Sequence, residues 1–341
     1  MRGLIQRLLA VFVLALPLPS FAVPFSNLYV LGDSVSDQGN LFIASSIIAG
    51  ADNALPSPPP YFKGRFSNGP NYIDLVAQGL GIRSLPTLAG GNNFAFGGAR
   101  TSYNTVESTV GGPFPPARFP WSLNAQTAAF LDRGINDPNA LYLVFSGSND
   151  VADILTRGLD PGTVISSAVT GVLAGVHAFR DAGAQIIVVP NIPDLGLTPA
   201  FVDSPGASAA ATLFSAQFNT LLHAQLETIS GVNIIEFDTF GFIRDAVSNP
   251  AAVGLSNVSD ACYSGFVAPD ATATTCPNPD DFLFWDAVHP TRAAHALLAN
   301  QLLIAIPSGI PEPSSLPLLV LGIALYAGLR TRTTRSSKVN T

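Results

Sequence analysis

Short apolar runs of strand length alternate along this chain with longer stretches of helical spacing. The four runs are LYVL from residue 28, ALYLVF from residue 140, QIIVVP from residue 185 and VNIIEF from residue 232. Helices are predicted at 163–182 and 204–229; Pro161 precedes the first of these and Gly183 follows it. Continuous apolar runs are typical of strands covered on both faces. The alternation therefore predicts βαβ units, a parallel sheet and an α/β fold class.

Two of these runs end in corners of small and polar residues. Gly32-Asp33-Ser34 follows the first run, and Gly147-Ser148-Asn149-Asp150 follows the second. Ligands of such sheets bind at the carboxyl ends of the strands, so both corners are candidate site positions. A serine there is either part of a simple turn or a nucleophile, and a nucleophile needs a base that is itself oriented by a third group.

His289 is the histidine best placed to act as that base. Asp286 lies three residues before it, a spacing at which the carboxylate and the imidazole can meet across one turn. Pro290 follows directly and disfavours helical geometry at His289. The alternative is that Asp286 only caps the first turn of a helix. The other histidines are expected to be ordinary helix residues: His177, His223 and His295.

Two further segments offer donors for an oxyanion. Gly97-Gly98 lets a backbone N–H approach a ligand closely, because glycine has no Cβ. Asn149, after the second strand, can offer its side-chain amide, and neutral, preorganised donors suit this task. A plain glycine turn and a plain cap remain open as alternatives for these two segments.

Taken in order, these blocks carry a resemblance to a known family. They read GDS at 32–34, NFAFGGA at 93–99, GSND at 147–150 and DAVHP at 286–290. The chain resembles the SGNH (GDSL) hydrolase family over about residues 25–306. GRFSNGPN from residue 64 and NIPDLGLTP from residue 191 are similar to its lipase and esterase-like branch. The resemblance implies a flavodoxin-like, three-layer α/β/α sandwich with a mainly parallel central sheet.

The resemblance also implies roles for individual residues. Ser34 is implied as the nucleophile, His289 as the general base and later acid, and Asp286 as the residue that orients His289. The oxyanion hole is implied to consist of the Ser34 N–H, the Gly98 N–H and the Asn149 side chain, with the neighbouring Gly97 as the alternative to Gly98. Val35 stands where the family has leucine, Asp33 is expected to hold the turn, and no metal or cofactor is implied.

Both ends of the chain are typical of processing segments. Residues 1–22 have two arginines, an apolar stretch and a small-residue end, which predicts a signal peptide, with a short apolar strand as the alternative. Residues 308–341 contain Pro311-Glu312-Pro313, a short apolar run and a basic end, and this order resembles the PEP-CTERM sorting signal of Gram-negative bacteria. That resemblance implies an exosortase partner, transient association with the inner membrane and a final place at the cell surface or outside it. The hydrolase domain is then 23–307.

The charge of this domain argues against a nucleic-acid partner. Six of the 16 lysines and arginines lie in the two end segments, and only ten remain beside almost all of the 23 acids. Lys63 is the only lysine between the ends. No basic patch can be assembled from so few cations, and binding to a phosphate backbone needs one.

The two cysteines, Cys262 and Cys276, lie in one stretch rich in Pro, Asp, Thr and Ala. In an exported protein they can close a loop as a disulfide. Two free thiols in a loop are the alternative. Metal binding would need further thiols or nearby histidines, and none is close in sequence.

The lead prediction is therefore a secreted serine esterase or lipase that forms an acyl-enzyme. The alternatives are an O-acetylesterase of exopolysaccharide, an acyltransferase, and a surface or matrix protein that keeps the fold without catalysis. Loops 51–71, 101–121 and 249–281 are expected to shape the pocket. Their aromatic residues form either an apolar wall for acyl chains or ordinary loop packing: Phe62, Phe66, Phe114 and Phe119.

Overall fold

Four parallel strands form the central sheet of this computed structural model. In the order in which they pair, they are β1 (Leu28–Gly32), β2 (Leu141–Phe145), β3 (Ile186–Pro190) and β4 (Asn233–Phe237). The predicted strands and the α/β class are thus confirmed. The structure describes residues 24–102, 121–268, 270–307 and 309, and residues 25–307 form one compact unit. The predicted signal peptide lies outside the described residues, as does the predicted tail apart from residue 309.

The first three strands are buried on both faces, which explains their continuous apolar runs. In the register, Leu28 pairs with Leu141 and Gly32 with Phe145, so β1 and β2 end side by side. This common end brings the two polar corners of the sequence to the same edge of the sheet. β4 is the edge strand on the side opposite β1, and most of its residues are only partly buried or exposed.

Helices cover both faces of the sheet. In chain order they are α1 (Asn40–Ala49), α2 (Tyr72–Gly79), α3 (Leu123–Asp132), α4 (Ser148–Arg157), α5 (Pro161–Asp181), α6 (Pro205–Leu226), α7 (Thr239–Ser248) and α8 (Arg292–Ala305). Helices α3 to α6 share a core with one face, including Tyr142 and Val144 of β2. On the other face Phe145 meets Tyr72 of α2, which packs on α8. The sandwich therefore has three layers.

The first residues of the helices explain where several of them begin. The Asn71 side chain accepts a hydrogen bond from the Asp74 N–H, and the Asp74 side chain accepts from the Asn71 N–H, which is a capping box at α2. Asp160 caps α5, and Pro161, which was predicted to precede this helix, lies in its first turn. α5 is also the one described helix long and apolar enough to cross a membrane, but half of its most apolar window is buried in the core. It is a core helix of this domain.

Two irregular segments beside the sheet carry site residues. Residues 92–96 run along the free edge of β1, where the Phe94 N–H donates to the Val30 carbonyl (2.8 Å) and the Phe96 N–H to the Gly32 carbonyl (3.1 Å). A second, two-stranded sheet, β5 (Asn257–Ala261) and β6 (Phe282–Phe284), lies before α8. The segment that holds Asp286 and His289 connects β6 to α8.

Candidate active site

Ser34 lies in a single tight turn that follows β1. The N–H groups of Ser36 and Asp37 donate to the Asp33 carbonyl at 3.1 and 3.0 Å, and the Asp33 side chain accepts from the Val35 N–H at 3.1 Å. Ser34 is 8% exposed and opens onto a cleft. Asp33 therefore stabilises the turn with both its backbone and its side chain, in agreement with the role expected for it.

The turn is fixed to the neighbouring segment by Asp37. Its carboxylate accepts from the N–H groups of Gly39, Asn40 and Leu41, which begin α1, and from the Gly97 N–H at 2.8 Å. One carboxylate thus caps a helix and holds the glycine pair beside the serine turn.

His289 lies between Ser34 and Asp286. Its Nε2 is 2.8 Å from Ser34 Oγ, and its Nδ1 is 2.8 Å from Asp286 Oδ2 and 2.9 Å from Oδ1. Asp286 also accepts from the N–H groups of Val288 (3.0 Å) and His289 (2.8 Å), so it closes a local turn. It does not cap α8, because the side chain of Thr291 caps that helix. The three residues form a chain of contacts in which the carboxylate can fix the imidazole and leave Nε2 facing the serine.

Charge and burial shape this chain of contacts. Burial acts to raise the pKa of Asp286, but the charge of His289 and hydrogen bonds from His289, Tyr61 and Val288 outweigh it and hold this pKa below its usual range. Burial raises the pKa of Asp33 to about 6. Asp286 is fully buried, and its contacts keep it an anion near neutral pH.

Gly97 and Gly98 have different tasks. The Gly97 N–H is engaged by Asp37, and a Cβ on Gly97 would come within 2.2 Å of the Phe66 ring. Gly98 lines the cleft and has φ of 75°, a conformation that favours glycine. Gly98 is therefore the glycine of this pair whose backbone is placed for a ligand.

Three residues that line the cleft carry candidate hydrogen-bond donors: Ser34, Gly98 and Asn149. Among the described residues, neither the Ser34 N–H nor the Gly98 N–H is engaged in a hydrogen bond. Asn149 Nδ2 donates to the Ala99 carbonyl at 2.9 Å. This hydrogen bond fixes the amide and leaves its second N–H available to a ligand. Asn149 lies in the first turn of α4, which begins at Ser148, and not at the end of a strand. This helix was not predicted from the sequence.

The glycine segment is held to α4 by polar contacts on either side of Asn149. Arg100 forms a bidentate ion pair with Asp153 (2.9 and 2.7 Å) and donates a hydrogen bond to the Gly98 carbonyl at 2.8 Å. Asp150 accepts from the N–H and the hydroxyl of Thr101, and burial raises its pKa to about 7. These contacts were not predicted, since nothing in the sequence pairs residues 50 positions apart.

The cleft has a volume of about 100 Å³ and largely apolar walls. Its polar groups come from seven residues: Asp33, Ser34, Gly98, Arg100, Ser148, Asn149 and His289. Its apolar lining consists of Val35, Phe66, Ala152, Pro193, Leu195, Phe201, Phe266, Val267 and Val288. A smaller cavity of about 40 Å³ shares Val35, Pro193 and Val288 with the cleft.

The predicted pocket loops contribute unequally to these walls. Phe66 lines the cleft, and its ring centre is 4.9 Å from that of His289. Phe62 is not among the lining residues; its ring lies under the ammonium group of Lys63, which agrees with the alternative of ordinary loop packing. Phe114 and Phe119 lie outside the described residues.

Loop 249–281 reaches the cleft through a segment closed by a disulfide. Cys262 and Cys276 are bonded, with 4.8 Å between their Cα atoms. Phe266 and Val267, inside the closed segment, line the cleft, and Phe266 is 39% exposed at its mouth. The disulfide therefore limits how far this wall can move.

The remaining histidines lie outside the cleft. His223 is exposed on α6, where its Nδ1 is 3.0 Å from the Glu236 carboxylate. His295 is buried in α8, its Nδ1 accepts from the Tyr72 N–H at 3.2 Å, and burial lowers its pKa to about 3. His177 is a partly buried residue of α5. All three are helix residues, as expected from the sequence.

Several curated bacterial proteins are similar in sequence. Esterase EstA of Pseudomonas aeruginosa is 32% identical over 321 residues, an alignment that covers 81% of this chain and 46% of that protein. Phosphatidylcholine-sterol acyltransferase of Aeromonas hydrophila is 27% identical, with 81% of this chain and 88% of that protein covered. The chain spans about half the length of the first curated relatives it matches.

Among solved structures, one match is a catalytic mutant of Axe2, an acetylxylan esterase from Geobacillus stearothermophilus. It covers 84% of this chain and 96% of that one, at 15% identity and a TM-score of 0.42. The family model named GDSL-like Lipase/Acylhydrolase, in contrast, matches residues 28–302. That match spans the sheet, the serine turn, the glycine segment and the Asp286–His289 segment, and it shows that the chain belongs to the GDSL-like lipase/acylhydrolase family.

Proposed function

We propose that this protein is an exported serine hydrolase of carboxylic esters, with Ser34, His289 and Asp286 as its catalytic triad. The observation that carries the proposal is the continuous set of contacts from Ser34 Oγ to His289 Nε2 (2.8 Å) and from His289 Nδ1 to Asp286 (2.8 Å). These contacts lie at the wall of a cleft and at the carboxyl ends of two parallel strands.

The first half of the reaction makes an acyl-enzyme. Ser34 Oγ attacks the carbonyl carbon of the ester while His289 Nε2 takes the hydroxyl proton. The carbonyl electron pair moves to its oxygen, which becomes an oxyanion. The Ser34 N–H, the Gly98 N–H and Asn149 Nδ2 are the donors we assign to this oxyanion. When the carbonyl re-forms, the bond to the alcohol oxygen breaks, and His289 gives its proton to the departing alcohol.

The second half releases the acid. A water molecule takes the place of the alcohol and gives a proton to His289 as it attacks the acyl-enzyme. The tetrahedral species collapses with cleavage of the bond to Ser34 Oγ, which recovers its proton from His289. Asp286 stays ionised throughout, because its contacts hold its pKa low. No cofactor or metal ion takes part in any of these steps.

The size of the cleft favours a short acyl group. At roughly 10–15 Å³ for each water-sized group, a cleft of about 100 Å³ accommodates roughly seven to ten such groups. The adjoining cavity of about 40 Å³ adds roughly three more. Esters of acids from acetate up to medium chain length fit this space better than those of long fatty acids. A second candidate function, deacetylation of an exopolysaccharide, is favoured by the same small volume.

Export is also part of the proposal. The pattern of residues 1–22 supports removal of a signal peptide, and the Cys262–Cys276 disulfide suits an oxidising compartment. The tail, residues 308–341, is proposed to be an exosortase substrate that holds the protein briefly at the inner membrane. Fractionation of a Gram-negative host, with mass spectrometry of the mature ends, tests this: an uncleaved cytoplasmic chain would refute it.

Hydrolysis of p-nitrophenyl esters from acetate to laurate tests the chemistry. Residues 23–307, expressed in an oxidising compartment, are compared with Ser34→Ala and His289→Ala, and a fluorophosphonate probe reports the nucleophile. We expect turnover that falls with chain length, is lost in both variants, and is matched by labelling of Ser34. A folded protein that neither turns over esters nor reacts with the probe would refute the hydrolase and favour a surface role without catalysis. A protein that reacts with the probe yet cleaves only acetylated polysaccharide would favour the second candidate.

A further inference from the structure

A buried tyrosine lies on the far side of the Asp286 carboxylate from His289. The Tyr61 hydroxyl donates to Asp286 Oδ2 at 2.5 Å, and Tyr61 is 2% exposed. The two residues are 225 positions apart, so no spacing in the sequence indicates the contact. Tyr61 does not line the cleft.

Tyr61 completes the hydrogen bonding of a carboxylate that water does not reach. Oδ1 of Asp286 accepts from two backbone N–H groups, those of Val288 and His289. Oδ2 meets only the His289 ring and the Tyr61 hydroxyl among the described residues. Without the hydroxyl, one oxygen of a fully buried anion would depend on the imidazole alone, and a buried charge with missing partners is costly.

The hydroxyl can only act as a donor here. Burial, together with the neighbouring charge of Asp286, raises the pKa of Tyr61 far above its ordinary value. The phenol therefore keeps its proton near neutral pH, and Asp286 is the acceptor.

The position of the ring does not depend on the hydroxyl. Tyr61 makes edge contacts with Phe66 (6.5 Å between ring centres), Tyr263 (5.7 Å) and Trp285 (6.2 Å). These aromatic rings fix the phenol by packing, so a phenylalanine would occupy the same site. Removal of the hydroxyl is therefore a clean test of its hydrogen bond.

We propose that Tyr61 is a positioning residue of the proposed active site, which holds the Asp286 carboxylate in the orientation that aligns His289 with Ser34. The inference rests on the function proposed above. As His289 takes the serine proton, the new imidazolium charge develops against Asp286. A carboxylate held from its far side meets that charge without reorientation, and such preorganisation acts in the transition state rather than in substrate binding.

This role predicts a loss in kcat with little change in KM. In Tyr61→Phe we expect kcat to fall about 10- to 100-fold, by analogy with the loss when the hydrogen-bond partner behind a metal-binding side chain is removed. KM should stay within about twofold, since transition-state interactions do not contribute to ground-state binding. The matched control is Tyr263→Phe, because Tyr263 stacks on Trp285 in the same cluster at 5.6 Å and its hydroxyl is not bonded to Asp286.

The experiment measures kcat, KM and the thermal midpoint of the full chain for the wild type and both variants, on p-nitrophenyl acetate. The proposal is overturned if Tyr61→Phe retains wild-type kcat, or if Tyr263→Phe loses as much. It is also overturned if Tyr61→Phe is equally harmful in an Asp286→Ala background, where a residue acting through Asp286 should have no further effect.

A spectroscopic readout separates this inference from the proposed function. Proton NMR of the wild type should show downfield resonances for the Tyr61 hydroxyl and the His289 Nδ1–H, both of which move when a fluorophosphonate modifies Ser34. The two resonances themselves should be present whether or not any ester is turned over, and their detection needs no Tyr61 variant that folds. A wild type that is inactive on esters but shows both resonances contradicts only the proposed function. An active wild type without a downfield Tyr61 hydroxyl contradicts only the role of Tyr61.

Discussion

The buried ion pair between Arg100 and Asp153 provides the sharpest test of how the glycine segment is held. The side chains are only 5% and 2% exposed, and the guanidinium contacts both carboxylate oxygens. Arg100 also donates to the Gly98 carbonyl, so it joins helix α4 to the proposed oxyanion hole. Substitutions here should therefore affect folding and turnover separately.

The stability effect follows from burial. Removal of one partner, as in Asp153→Ala, breaks a buried ion pair and should cost about 3–5 kcal/mol of the free energy of unfolding. Arg100→Met alone should cost a similar amount. The double variant Arg100→Met/Asp153→Leu replaces both charges with apolar groups, which is often neutral for such a pair, so it should cost less than either single substitution. The second partner of Asp153, Arg157, is 36% exposed at 3.4 Å and adds less than about 1 kcal/mol.

Turnover should not recover together with stability. The double variant folds but lacks the donor to the Gly98 carbonyl, so the backbone next to the proposed oxyanion donor is no longer fixed. Loss of one complete oxyanion donor costs about 10²- to 10³-fold in kcat. We expect at least about a tenfold fall from a misaligned donor.

Urea unfolding followed by tryptophan fluorescence, with ester hydrolysis on the same samples, measures both quantities. The reasoning is refuted if the double variant loses the sum of the two single effects, since the charges would then not depend on each other. It is equally refuted if the double variant is stable and fully active, since Arg100 would then not support Gly98.

Three further predictions concern neighbouring features. Asn149→Ala should lower kcat about 10²- to 10³-fold, with little change in the urea midpoint, if its amide serves the oxyanion. Burial raises the pKa of Asp33 from 3.8 to about 6, so ionisation of this residue opposes folding. The protein should therefore lose stability as the pH rises from about 4 to about 6. Asp33→Asn, followed by thermal unfolding, should therefore gain nothing near pH 4 and up to about 3 kcal/mol near pH 7; a gain that is largest in acid would contradict this. Replacement of Cys262 and Cys276, 14 residues apart, by alanine should cost about 3 kcal/mol in unfolding assays, and equal stability with and without reductant in the wild type would contradict that figure.

The strands could be predicted from the sequence because their apolar runs are unbroken and of strand length. The long helices α5 and α6 could be predicted as well, since proline and glycine mark their boundaries. Helix α1, with the sequence NLFIASSIIA, has apolar residues on every side and gives no helical period. Helix α4 was missed because its first residues, Ser148 to Asp150, read as a polar corner after a strand.

The residues of the candidate site also fall into those that could and those that could not be predicted from the sequence. Ser34 and Asn149 could be placed at one edge because they follow neighbouring strands, and the pair of Asp286 and His289 could be recognised from a spacing of three. The contacts of Tyr61 with Asp286 and of Arg100 with Asp153 could not be predicted. Each joins residues far apart in sequence, and only the packed structure determines such pairs.

The division has a physical cause that bears on how this site works. The residues that a short sequence pattern indicates are the ones that would touch the substrate. A nucleophile, a base and an amide donor must each follow a strand or turn that orients it toward the cleft. Tyr61 and Arg100 belong to no such pattern: Tyr61 bonds to Asp286 and Arg100 to the Gly98 carbonyl, and both determine how rigidly those groups are held. Motif residues alone would leave a buried carboxylate and a glycine backbone free to shift, and a shift of about 1 Å can cost 10²-fold in rate. The rate of this protein should therefore depend on these long-range contacts as well as on the motif residues.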